Sequence, residues 1–284
     1  MADLEQSAFE SPELFVSCDW LEKHLSNPNL RVVQLGGEMF YHRVHIPGAV
    51  LVSMRDLIAM RDGVPGMRRD PEEISELFGR LGITRETTVV AYDATGGLDA
   101  AKVIWNLFLM GHERATILDG GINVWAADER PMVGDVPNIE PVDFYGTFDN
   151  IYEADKSYVE QIVNGTVTAR LLDTRSYQEY TGMGVRRGPM GHIPGARFYD
   201  WITALADRQR PVLKSAHALM DELKEIGIED TQVEVVCYCQ TAHRAAHTWM
   251  LLKWLGFQKV RLYDGSMSEW GLRGGTLVAG DAPG

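Results

Sequence analysis

Val235-Val236-Cys237-Tyr238-Cys239-Gln240-Thr241-Ala242-His243-Arg244-Ala245-Ala246-His247 is the stretch on which the reading of this chain turns. Its first part continues an apolar, β-branched run over 233–238, the pattern of a strand buried on both faces. A short polar turn follows, and then the start of an Ala-rich helix. In open parallel sheets ligands sit at the carboxyl ends of strands. A turn that curls into a helix N-terminus there offers several backbone N–H groups and the positive end of the helix dipole.

Moving outward, the same pattern occurs earlier. Val89-Val90-Ala91-Tyr92 matches Val235-Val236-Cys237-Tyr238 at an offset of 146. His45-Ile46-Pro47-Gly48-Ala49 returns as His192-Ile193-Pro194-Gly195-Ala196, offset 147. Leu81-Gly82-Ile83 matches Ile226-Gly227-Ile228, and Asp119-Gly120-Gly121 with Trp125 matches Asp264-Gly265-Ser266 with Trp270, both at offset 145. Order and spacing persist, so one domain has been duplicated. Each copy reads alike. Strands are expected at 30–35, 87–92 and 115–118, and again at 169–173, 233–238 and 259–263. Helices are expected at 71–81 and 100–110, and at 215–226 and 245–255, with glycine stops. Alternating strands and helices predict an α/β fold: two tandem domains, each a parallel sheet with helices on both faces. The expected division is a first domain over 12–133, a linker over 134–150 and a second domain over 151–275.

The length of 284 residues suits two domains. The net charge of −13 sets nucleic acid and anionic membranes aside as partners and demands a local device for any anion bound. Three cysteines, Cys18, Cys237 and Cys239, are too few for a disulfide framework and suit a reducing cytosol. Residues 1–12 show no signal-peptide pattern, and the most apolar runs are too short to span a bilayer. No zinc spacing, GxGxxG or P-loop occurs, so no cofactor is expected.

At the head of the turn, Cys239 meets a field that favours thiolate, and Arg244 adds a permanent positive charge. Such a thiolate attacks without a separate base. The competing reading, a small buried apolar cysteine, ignores the polar neighbours and the arginine. In the first copy Asp93 stands at the cysteine position, and the turn 94–99 holds no arginine. That copy reads as catalytically silent.

With the His-Ile-Pro-Gly-Ala element, the Tyr238–Arg244 turn and the Tyr263-Asp264-Gly265 to Glu269-Trp270 tail in view, the chain resembles a tandem rhodanese from about Phe15 to Trp270. The resemblance implies a sulfurtransferase in which the second domain carries the catalytic cysteine. That cysteine takes sulfane sulfur from a donor as a persulfide and passes it to a thiophilic acceptor such as cyanide. The implied site is Cys239 with Gln240, Thr241, Ala242, His243 and Arg244 binding the anion. Arg187, in the Gly-rich segment before His192, is implied as a further contact to the donor. Asp173 and Arg175 are implied as structural support, with Glu179 joining them.

Four residues separate Cys239 from Arg244, one fewer than a cysteine phosphatase needs to wrap phosphate, so phosphatase chemistry is disfavoured. Thiosulfate is the expected donor and 3-mercaptopyruvate the alternative, because relatives using the latter tend to carry a Gly-Ser-Gly turn. A non-catalytic binding module is a further alternative. No nucleic-acid or membrane partner is expected, and the duplicated domain suggests a monomer. His192 and His247 read as structural, Cys237 and Cys18 as buried thiols, His243 as part of the turn's polarity, and Trp201 as core, with a place lining the cleft as its alternative.

Overall fold

The computed structural model describes residues 13–183 and 190–284. The first copy has strands β1 Phe15–Val16, β2 Leu30–Leu35, β3 Val50–Val52, β4 Ile58–Arg61, β5 Val64–Arg68, β6 Thr88–Tyr92 and β7 Ala115–Leu118. The second has β8 Glu153–Ala154, β9 Arg170–Asp173, β10 Arg197–Phe198, β11 Val235–Tyr238 and β12 Val260–Tyr263. Two five-stranded sheets result, in the orders β1-β7-β6-β2-β3 and β8-β12-β11-β9-β10, and every pairing in them is parallel. Equivalent strands occupy equivalent places, so the duplication read from the sequence is a duplication of topology. β6 and β11 are central and buried along their whole length, which is why both are continuous apolar runs.

Each expected strand and helix is present with its edges moved by a residue or two. The turn after each central strand enters a long helix, Ala100–Leu109 in the first copy and His243–Trp254 in the second. All ten residues of Ala100–Leu109 are buried. A helix buried all round belongs inside a protein, and the two helices pack on each other where the copies meet. Phe108 meets Trp249 edge-on at 5.4 Å between ring centroids, a geometry worth about 0.5–1.5 kcal/mol beyond its buried area. The main apolar core runs continuously through both copies.

The polar contacts across this interface follow the duplication. Asp264 Oδ2 accepts the Arg68 N–H at 2.7 Å, and Asp119 Oδ1 accepts the Leu213 N–H at 2.9 Å. The two acceptors are repeat equivalents, and so are the two donors. The ion pairs break the symmetry. Lys102 Nζ donates to Asp264 Oδ1 at 2.6 Å, with both side chains fully buried. At the position matching Lys102 stands His247, which is buried and packs edge-on against Trp201 at 5.2 Å. Burial lowers the His247 imidazole to about 4, so it is neutral at physiological pH.

The antiparallel hairpin β4–β5 is not foreseen by the sequence reading. Its tip, Asp62-Gly63, has φ of +49° and +80°, the backbone of a tight hairpin turn. Its flanks lack clean alternation, and a bulge between Ala59 and Met60 explains that. Residues 134–149 form no helix or strand. The division 12–133, 134–150 and 151–275 remains a proposal. Its second edge falls short of one ordered contact: His45 bridges Val133 in the first copy, and His192 correspondingly bridges Val278 in the second. Among the described residues no helix is long and apolar enough to cross a membrane.

Replacing Asp264 with Ala would strand the buried Lys102 ammonium. We expect a loss of about 3–5 kcal/mol in urea denaturation. A loss below about 1 kcal/mol would show that the pair does not hold the copies together.

Candidate functional site

The first copy shows what the turn after a central strand is built to do. The Asp93 carboxylate is buried beneath it. Oδ1 accepts the N–H groups of Thr95 and Gly97 at 2.7 and 2.9 Å, and Oδ2 accepts those of Asp99 and Ala100 at 2.7 and 2.9 Å. The turn is an anion cradle occupied by its own side chain.

In the second copy Cys239 takes the place of Asp93, and the turn is one residue shorter. The Cys239 side chain is 1% exposed and belongs to the core between the copies. Its N–H donates to Ser266 Oγ at 3.1 Å, and its carbonyl accepts from Met267 N. Among the described residues, the amides of Gln240, Thr241, His243 and Arg244 have no hydrogen-bond acceptor. These amides and the first turn of helix His243–Trp254 form the candidate cradle.

The side chains of the turn have partners of their own. Gln240 Nε2 donates to Ser268 Oγ at 3.1 Å. Thr241 lies beneath the β4–β5 hairpin: a Cβ on Gly66 would come within 2.8 Å of the Thr241 Cβ, so only glycine fits there. The Ala242 N–H donates to Ser266 Oγ at 3.1 Å. His243 Nε2 is in contact with the Asp99 carboxylate of the first copy. Arg244 grips Glu179 with two nitrogens, at 2.7 and 2.9 Å. Its charge is therefore already matched by a carboxylate, a partner the sequence reading assigned to the Asp173–Arg175 network.

Asp173 and Arg175 lie side by side behind the turn, both fully buried, with Arg175 Nη2 donating to Asp173 Oδ2 and to the Gly191 carbonyl, each at 2.6 Å. His192 is stacked on Tyr180, and its two ring nitrogens bond to the carbonyls of Tyr180 and Ala282. His45 repeats this with Tyr41 and Asp135. Two identical settings, only one beside a cysteine turn, fit the structural reading of His192. Cys237 is fully buried, and burial pushes its thiol well up; Cys18 is pushed up to about 11 by burial in the same way. Trp201 is half-buried at the cleft between the copies. Arg186 and Arg187 lie outside the described residues. No group of three or more His, Cys, Asp or Glu side chains among the described residues could hold a metal ion.

Sequence reasoning missed Ser266, Asp99 and Gly66 as parts of this site. Ser266 had a signal, since the repeat aligns it with Gly121. The other two come from the silent copy, and only tertiary packing brings them here.

The sequence profile of the rhodanese-like domain matches residues 17–128 and 155–273. The chain is 36% identical to a thiosulfate sulfurtransferase of Corynebacterium glutamicum, covering 93% of this chain and 90% of that one. It is 34% identical to the thiosulfate sulfurtransferase of Azotobacter vinelandii, over 93% and 96%, and 32% identical to the sulfur carrier protein TtuD of Thermus thermophilus, over 95% and 98%. Its structure matches that of SseA from Escherichia coli, a 3-mercaptopyruvate sulfotransferase, with a TM-score of 0.79 at 25% identity, over 90% of this chain and 99% of that one.

Burial alone would raise the Glu179 carboxyl, but hydrogen bonds from Arg244 and Ser176 outweigh it and hold the group at about 2, below its ordinary 4.5. A depressed carboxyl contributes stability that is complete above 4.5 and is lost as pH falls toward 2. Glu179→Gln should flatten the pH dependence of the melting temperature across that window. An unchanged pH profile would contradict the pairing.

Proposed function

Because this chain belongs to the rhodanese family and carries two copies of its domain, we propose that it moves sulfane sulfur from thiosulfate to a thiophilic acceptor such as cyanide, with Cys239 as the carrier. Family membership makes it a sulfurtransferase. The donor, the acceptor and the roles of the residues are the proposal.

One observation carries it. The turn after the first central strand gathers four N–H groups onto a carboxylate. The turn after the second puts a cysteine at the same position, gives the Cys239 and Ala242 amides to Ser266, and leaves those of Gln240, Thr241, His243 and Arg244 unmatched by any described residue. Anionic sulfur is what such a cradle would take.

The Cys239 thiolate attacks the outer sulfur of thiosulfate. The S–S bond breaks, sulfite leaves with the electron pair, and Cys239 keeps the transferred sulfur as a persulfide. An acceptor such as cyanide then attacks that terminal sulfur, thiocyanate leaves, and the thiolate returns. Both steps develop negative charge and neither needs an external proton donor, so preorganised amides suit them better than an acid or base would. The amides of Gln240, Thr241, His243 and Arg244 supply the cradle, Ala242 lines the turn while giving its own N–H to Ser266, and Arg187 is a further proposed contact to the donor. Asp173 and Arg175 brace the turn from behind. The buried, free cysteines suit a reducing compartment such as the cytosol, and the interface between the copies supplies the partner surface a monomer needs.

A second donor is favoured by one feature. Glu179 already matches Arg244, which leaves the cradle less cationic than a free guanidinium would make it. The monoanionic 3-mercaptopyruvate suits that balance, and the likeness to SseA points the same way.

Incubation with thiosulfate and desalting should leave one added sulfur atom by mass spectrometry, which cyanide removes. Cys239→Ser should abolish it and Cys237→Ser should retain it. The reverse pattern would refute the assignment, and absence of any adduct in the parent would favour a binding module. A higher kcat/KM with 3-mercaptopyruvate than with thiosulfate would transfer the proposal to that donor.

A further inference from the structure

Ser266 holds an unusual place. Its side chain is fully buried, and its φ is +48°. Residues other than glycine carry a steric cost there, and such cost persists where the surroundings enforce it. Ala242, in the cysteine turn, is also left-handed, with φ +58°. The two are joined, because Ser266 Oγ accepts the Ala242 N–H at 3.1 Å. The same oxygen accepts the Cys239 N–H at 3.1 Å and donates its own proton to the Tyr263 carbonyl at 2.8 Å. One hydroxyl thus has its single donor and both acceptor sites filled.

The first copy solves the same problem differently. Gly97 stands where Ala242 stands and Gly121 where Ser266 stands, with φ of +89° and +54°. No side chain is strained at either corner. The Gly97 N–H donates to Asp93, the residue that matches Cys239. The amide that the silent copy gives to its internal anion is therefore, in the other copy, given to Ser266.

We infer that Ser266 is a positioning residue: its hydroxyl pins the turn at Cys239 and Ala242, and so holds the amides of Gln240, Thr241, His243 and Arg244 in the curl that receives the sulfur anion. This rests on the reading of Cys239 as the sulfur carrier and deepens it. Ser266 touches neither donor nor transferred sulfur in this scheme. It acts by replacing the aspartate as the acceptor that shapes the turn, which leaves the other amides for the substrate.

Two variants of the full chain separate this role from a structural one. Ser266→Gly removes the hydroxyl and the strain together, and glycine already occupies this corner in the first copy. Ser266→Ala removes the hydroxyl and keeps the strain. Both should form the thiosulfate adduct about 10- to 100-fold more slowly at saturating donor, with KM changed far less. Both should also move the midpoint of the pH profile for iodoacetamide alkylation of Cys239 upward. The melting temperature should fall further for the alanine variant, which loses the same hydrogen bonds and keeps the strain. If the rates instead track the melting temperatures, with the glycine variant closer to the parent rate and the alkylation midpoint unmoved, Ser266 is structural alone and the inference is overturned. A parent chain that takes no sulfur on Cys239 overturns the carrier reading and this inference together, whereas a parent that does so beside two parent-like variants overturns the inference alone.

Discussion

Backbone N–H groups buried at the end of a central strand must find acceptors. Each copy of this fold turns from its middle strand straight into a helix whose first amides have no partner within the helix. The curl that results is a demand for negative charge. In the first copy Asp93 meets the demand from within the chain. In the second the residue at that position is a cysteine, and four amides of the turn have no acceptor among the described residues. The two turns differ in the side chain that follows Tyr92 or Tyr238, in length by one residue, and in the serine that meets only the second.

The rest of the molecule holds that turn in place against an unfavourable net charge. The copies meet through their two central helices, so the first copy abuts the candidate site. The β4–β5 hairpin reaches across to press Gly66 on Thr241, Asp99 meets His243, and the buried Lys102–Asp264 pair ties the helix Ala100–Leu109 to the segment just before Ser266. The first copy therefore supplies contacts on several sides of the second copy's turn.

Much of this was legible in the residues. The parallel sheets, the duplication and Cys239 followed from apolar runs, glycine stops and anchors that recur at one spacing, because these are local patterns with a local physical cause. The hairpin was illegible because its bulge breaks the alternation that marks strands. The pairing of Arg244 with Glu179 was illegible because the two lie 65 positions apart and either could have met another charge. Ser266 is an intermediate case. Its alignment with Gly121 was visible, but a serine beside a glycine in a repeat carries no meaning until its left-handed backbone and its two amide donors are known. Arg187 belongs to the part of the reading that the described residues do not reach.

The glycine at position 121 has a bearing on how such duplicated chains can change. A Cβ there would lie 2.2 Å from the Asp93 carbonyl oxygen. The first copy cannot simply borrow the serine of its twin, and its turn is a residue longer. Swapping Asp93 for cysteine would thus give a thiol in a loop of the wrong length with no hydroxyl to shape it. A cysteine turn in the first copy matching that of the second would therefore require coordinated changes at several positions.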